Sequence, residues 1–154
     1  MALLLWEDIA VGSTFDIGPY VVSREEILAF SRQYDPQPFH LDDGRAEESS
    51  YGGVIASGWQ TGAIAQRLLV TGFLNGAASM GSPGLEALRW RKPVRPSDEL
   101  RLRLSIVSKE PSPKHPDRGI VDAEHELLNQ KNELVMSFRI RIMIARREQG
   151  PDRS

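Results

Sequence analysis

The residues best suited to chemistry lie in one short run, Tyr34-Asp35-Pro36-Gln37-Pro38-Phe39-His40-Leu41-Asp42. It sets a carboxylate, Asp35, and an imidazole, His40, five positions apart. These are the side chains best able to move protons near neutral pH. Pro36 and Pro38 lower the entropy cost of holding both in one geometry. A second run, Ile55-Ala56-Ser57-Gly58-Trp59, opens an apolar stretch. A helix starting there presents free backbone amides and a partial positive charge. Gly58 lets a carbonyl approach that backbone closely, and such a site stabilises negative charge developing on an oxygen. Residue types alone leave ordinary readings open. Asp35 could be a turn residue at a helix end, His40 a hydrogen-bonded surface or core histidine, and Gly58 a plain helix-start glycine.

The elements that must position these residues can be read from spacing. Ser23-Arg24-Glu25-Glu26 fits a capping box, and Ile27, Phe30 and Tyr34 follow at helical spacing. A helix is predicted from about Arg24 to Tyr34. Pro36 and Pro38 stop it, so Asp35 to Leu41 is expected to be an extended, stiff loop. Asp42 to Ser50 reads as a short helix that Tyr51-Gly52-Gly53 breaks. Gly58 to Leu74 reads as a long helix with apolar residues around most of its circumference, hence buried on more than one side. Asn75 to Gly84 is a loop.

The remainder reads as β. Phe15 to Val22 is a strand or an extended arm. Leu88 and Trp90, then Leu100 to Ile106, Val121 to Leu127 and Leu134 to Ile144, alternate apolar with polar residues. That period predicts an antiparallel sheet with one wet face. Asn129 to Asn132 is a hairpin connection. Lys109 to Gly119 carries three prolines and reads as a longer loop. Ala145 to Ser154 reads as a frayed tail, flexible over residues 146–154. The expected class is α+β, an antiparallel sheet wrapped around the long central helix.

Bulk composition narrows the partners. The chain has 154 residues and a net charge of −2, which gives no overall attraction to nucleic acid or to an anionic membrane surface. With no cysteine there is no disulfide, thiol nucleophile or thiolate metal site. The short apolar start, Met1 to Trp6, lacks a basic flank, and Glu7 and Asp8 follow too soon for a signal peptide. No stretch approaches the length of a membrane span. A soluble, cytoplasmic protein is the expectation.

The run Asp35-Pro36-Gln37-Pro38-Phe39-His40-Leu41-Asp42 resembles the hydratase motif of MaoC-like dehydratases and (R)-specific enoyl-CoA hydratases, Asp-x-Asn-Pro-x-His-x-Asp. Ile55-Ala56-Ser57-Gly58 resembles the family's second signature, two apolar residues and His-Gly opening the central helix. The segment from Gly84-Leu85 to Val94-Arg95-Pro96-Ser97-Asp98 is similar to the stretch that leads into the family's sheet. The resemblance covers nearly the whole chain in order. Three departures stand out: Gln37 for the usual Asn, Ser57 for a common His, and Gln66 where characterised (R)-hydratases have a substrate-contacting Ser.

The resemblance implies one hotdog domain over residues 1–154, acting in fatty acid metabolism on acyl thioesters. It implies reversible addition of water to a 2-enoyl thioester, with Asp35 and His40 catalytic and Gly58, Ser57 and Gln37 binding substrate. Asp35 would take a proton from water, His40 would orient that water and help protonate the α-carbon, and the Gly58 amide would hold the thioester oxygen. No metal or redox cofactor is expected. Coenzyme A enters only as part of the substrate and is favoured over a carrier protein. The resemblance also implies a homodimer or higher homo-oligomer with substrate at the interface.

Several other residues invite assignment. Asp42 and Asp43 beside His40 suggest a metal, but no second histidine is near, and Asp42 is better read as a cap. His125 reads as a satisfied core histidine and His115 as solvated. Arg89, Arg91, Lys92 and Arg95 suit coenzyme A phosphates and equally suit a solvated strand edge, so they stay outside the candidate site. A hotdog thioesterase is one rival, weakened because Trp59 to Leu74 contains no acid, although Gln60 or Gln66 could position a water. A non-catalytic acyl-binding module is the other.

Overall fold

In the computed structural model, which describes residues 2–148, five strands form one antiparallel sheet in the order β1-β3-β4-β5-β2. They are β1 (Thr14–Val21), β2 (Leu85–Trp90), β3 (Glu99–Pro111), β4 (Arg118–Leu128) and β5 (Leu134–Ala145). The helices are α1 (Arg24–Tyr34), α2 (Pro38–Leu41), α3 (Asp43–Glu48) and α4 (Gly58–Gly72). The alternation in the sequence becomes alternation of burial. Leu100, Leu102, Leu104 and Ile106 of β3 turn into the core, as do Val121, Ala123 and Leu127 of β4. The segment read as a strand or an arm is a full edge strand, since β1 pairs with β3 from Thr14↔Ser105 to Val21↔Glu99.

Helix α4 lies against the apolar face of the sheet through Gln60, Thr61, Ile64, Ala65, Leu68 and Leu69. This is the expected wrapping of a sheet around a central helix, the hotdog arrangement. Gly72 lets the helix end seat on β1, because a Cβ there would fall 2.4 Å from Ile17 Cγ2. The expectation that α4 is buried on more than one side needs correction. Trp59, Ala63 and Gln66 form an outward stripe, and Trp59 is 65% exposed. Their spacing places them on one helix face that nothing in a single chain covers.

Two other boundaries differ from the sequence reading. The ladder between β3 and β4 runs on through Lys109↔Val121, Glu110↔Ile120 and Pro111↔Gly119, so the proline-rich loop is shorter than expected. Polar residues at a strand end hide the period there. Arg146 and Arg147, placed in the expected tail, are tied down: the Arg146 N–H donates to the Asp117 carbonyl at 2.8 Å, and Arg147 pairs with Asp8 at 2.8 Å. Residues 149–154 lie outside the described residues. No described helix is long and apolar enough to cross a membrane.

His125 is a core residue, but only half of it is satisfied. The ring stacks on Phe138 with centroids 4.5 Å apart, and Nδ1 lies 3.2 Å from the Ala123 carbonyl. Nε2 is buried without a partner among the described residues. Burial pushes its pKa down from 6.5 to about 4, against the smaller upward pull of the Ala123 carbonyl. The unfolded chain therefore binds this proton from the ordinary range downward, while the folded chain refuses it until about pH 4. The stabilisation is complete above the ordinary histidine range and is lost as pH falls. Stability should drop by roughly 3 kcal/mol between pH 7 and pH 4 on this account. Denaturant unfolding across that range should show the slope in the wild type and a flatter one in His125→Leu; equal slopes would refute the assignment.

Candidate active site

Asp35 sits at the exact end of α1, where Pro36 forbids another helical turn. Its N–H donates to the Ser31 carbonyl at 3.0 Å. The chain is extended at Gln37, with φ −80° and ψ 143°. At Pro38 it turns helical again, so the loop expected to run extended to Leu41 instead contains α2. The reason is that proline stops the helix before it yet fits the first position of the next, where its missing N–H costs nothing. That single turn swings His40 back toward Asp35. Asp42 caps the following helix, its Oδ1 accepting the Arg45 N–H at 2.9 Å, as read from the sequence.

His40 is buried, and its Nδ1 lies 2.7 Å from the Ile55 carbonyl oxygen. A carbonyl only accepts, so Nδ1 carries hydrogen. Nε2 then faces Asp35 Oδ2 at 3.2 Å. Two bare lone pairs would repel at that distance, so the contact calls for a proton between the two groups. The other bonds to Asp35 come from neutral donors. Gln37 Nε2 donates to Oδ1 at 2.6 Å and Ser57 Oγ to Oδ2 at 2.7 Å. Burial raises the Asp35 pKa, but the Ser57 and Gln37 hydrogen bonds and the His40 charge outweigh it and hold the carboxyl below its ordinary range.

Ser57 also begins α4, its Oγ accepting the Trp59 N–H at 3.3 Å. Among the described residues no acceptor takes the Gly58 N–H. Trp90 explains why this position is glycine. Its indole Nε1 donates to the Gly58 carbonyl at 2.9 Å, and a Cβ on Gly58 would lie 2.6 Å from Trp90 Cε2. Asp35, His40, Gln37 and Gly58 all line one cleft of about 380 Å³. Ser57 is fully buried behind it.

Sequence reasoning missed most of the cleft wall. Phe39 and Tyr51 stand on one side with rings 5.4 Å apart, and Trp59 and Trp90 meet edge to face at 5.5 Å. No local spacing pairs Trp59 with Trp90, because β2 meets the start of α4 only through the fold. Arg91 and Lys92, kept outside the candidate site, line the cleft. Their signal was the basic run before Pro93, which a solvated edge explains as well. Arg91 Nε donates to Ser137 Oγ at 3.1 Å and Lys92 pairs with Glu133. Arg89 and Arg95 instead bond the Leu88 and Tyr51 carbonyls. Neither Gln60 nor Gln66 reaches the cleft. His115 is exposed, as expected.

Gly58→Ala should push the indole aside and cost about 1–3 kcal/mol, the usual range for overpacking. Denaturant midpoints should show this cost shrinking when Trp90→Ala makes room. Equal costs in both backgrounds would mean that Trp90 is not what requires glycine.

Known proteins share this fold. The crystal structure of a MaoC-like dehydratase from Rhodospirillum rubrum superposes with a TM-score of 0.86 at 42% identity, covering 95% of this chain and 99% of that one. The R-hydratase PhaJ1 from Pseudomonas aeruginosa, in its unliganded form, shares the fold with a TM-score of 0.74 at 24% identity, covering 97% of this chain and 95% of that one. The uncharacterized protein YdeM of Bacillus subtilis is 29% identical over 140 residues, which span 91% of this chain and 98% of YdeM. The family profile described as MaoC like domain matches residues 8–126, a span that contains Asp35, His40, Ser57 and Gly58, and the chain belongs to that family.

Proposed function

We propose that this protein adds water reversibly to a 2-enoyl thioester, giving the 3-hydroxyacyl thioester. The observation that carries the proposal is the Asp35–His40 pair, 3.2 Å apart, in the same cleft as the Gly58 amide, which no acceptor takes among the described residues. Addition of water to a conjugated thioester needs a proton acceptor, a proton donor and a site for the enolate charge. These three groups can supply them.

The steps balance without an electron donor or acceptor. Asp35 accepts a proton from water as the water oxygen bonds to the β-carbon. The displaced π electrons move onto the thioester oxygen, which accepts the Gly58 N–H. His40 delivers its Nε2 proton to the α-carbon as the carbonyl re-forms. Asp35 then returns its proton to His40 across their contact. The low proton affinity of Asp35 favours that return. Run backwards, the same groups dehydrate a 3-hydroxyacyl thioester. No metal or redox cofactor is required by this chemistry, and coenzyme A takes part as the thioester carrier. The cationic Arg91 and Lys92 on the cleft wall support a phosphate-bearing carrier.

The proposal includes a homodimer. β2 is a sheet edge, and its Leu85 and Trp90 are exposed, as is Trp59 on the outward stripe of α4. An open edge beside exposed apolar side chains is the kind of surface a second copy covers.

Pure protein incubated with a panel of short, long and branched enoyl-CoA substrates should bleach the conjugated chromophore without releasing free thiol. Asp35→Asn and His40→Ala should each abolish that loss while keeping the wild-type circular dichroism. Turnover near the wild-type rate in either variant would remove that residue from the reaction, and thiol release would assign a thioesterase instead.

A further inference from the structure

We propose that Ser57 and Gln37 are positioning residues for Asp35, holding it in place as the carboxylate between turnovers. Both residues were expected to bind substrate. The catalytic consequence rests on the hydratase reading; the arrangement of donors around Asp35 does not.

Ser57 cannot act from where it lies as a substrate contact. It is 0% exposed and absent from the cleft lining. Its one hydroxyl hydrogen goes to Asp35 Oδ2 at 2.7 Å, and its oxygen accepts the Trp59 N–H at 3.3 Å. No donor remains to offer a ligand. Gln37 reaches the cleft and gives one of its Nε2 hydrogens to Asp35 Oδ1 at 2.6 Å. Each carboxylate oxygen therefore accepts one hydrogen bond from a group that carries no charge.

Those bonds have a direction of effect. An ionised carboxylate accepts both, while a protonated one must give up an acceptor site, so the two donors favour the charged form. Asp35 Oδ2 also meets His40, and the shared proton goes to whichever partner binds it more strongly. The two donors on Asp35 weaken its hold on that proton. The state left between turnovers is a carboxylate able to accept a proton from water, with His40 in contact with it.

Ser57 adds a geometric link. The hydroxyl that donates to Asp35 also caps the helix whose first amide belongs to Gly58. One side chain thus ties the proton acceptor to the amide placed for the enolate oxygen. The titratable groups around Asp35 are few. His40 on α2 touches it, Tyr34 precedes it on α1, and Tyr51, Arg91 and Lys92 line the same cleft, with Lys92 paired to Glu133. Only His40 among them bonds the carboxylate, so the effect of removing Ser57 or Gln37 can be read at Asp35.

The test is a carbon-13 NMR titration of the Asp35 carboxyl in wild type, Ser57→Ala, Ser57→Thr and Gln37→Ala. It is run beside the pH profile of kcat/KM on the best enoyl-CoA substrate. Ser57→Ala and Gln37→Ala should each raise the Asp35 midpoint by about one pH unit or more. The acid limb of kcat/KM should move the same way, with KM at neutral pH little changed, and Ser57→Thr should restore the wild-type midpoint. Gln37 is exposed, so Gln37→Ala decides the matter even if Ser57→Ala fails to fold. Unmoved midpoints in the folded variants would overturn the proposal, as would a raised KM with an unmoved acid limb. The NMR result holds whether or not the wild type hydrates any substrate, so failure of the hydratase reading is distinguishable from failure of this one.

Discussion

The site depends on one hydrogen bond, from His40 Nδ1 to the Ile55 carbonyl at 2.7 Å. It assigns the imidazole hydrogen and thereby decides what Nε2 can do toward Asp35. The bond is itself held from both sides. The Ile55 N–H donates back to the Phe39 carbonyl at 3.3 Å, and the next residue, Ala56, donates to the Val94 carbonyl at 2.8 Å. One extended segment thus clasps α2 through Ile55 and the β2–β3 connection through Ala56. Two residues on, the same segment supplies Ser57 to Asp35 and begins α4 with Gly58. The Asp35–His40 pair, its Ser57 donor and the Gly58 amide all meet at this one stretch of backbone, and the buried face of α4 anchors that stretch to the sheet.

Stability does not explain this arrangement. Taking a carboxylate and an imidazole out of water costs free energy that their attraction often fails to recover. Here the largest influence on the Asp35 carboxyl is the unfavourable one, burial, and three donors are needed to overcome it. A core that needed only stability would place apolar side chains there. His125 gives the contrast within the same chain: it is buried against Phe138 with no carboxylate bonded to it, and burial simply keeps it neutral. Asp35 keeps its charge where the cleft opens on it.

Much of this was legible in the residues. The capping box at Ser23 and Glu26 fixed the start of α1, and the alternating apolar residues from Leu100 to Ile144 located three strands. Asp35, His40 and Gly58 were singled out by type and spacing, and the structure brings all three to one cleft. What stayed hidden depends on contacts distant in sequence. Pro38 reads from the sequence as a helix stop and a loop stiffener, because its use as a helix start shows only once α2 packs against Ile55. The role of Ser57 was obscured because its partner lies 22 positions away. The outward stripe of α4 looked like core because Trp59 and Ala63 are apolar, and composition does not say which apolar face a single chain leaves open. The aromatic cleft wall joins residues from α2, the α3–α4 connection, α4 and β2, a grouping no local period reveals.

The most direct test is a long-range proton–nitrogen NMR correlation of the His40 imidazole across neutral pH. Hydrogen held on Nδ1 throughout the folded range is the predicted result, with any change on titration confined to Nε2. A neutral ring with its hydrogen on Nε2 and a bare Nδ1 would contradict the account, because the Ile55 carbonyl could not then bond His40.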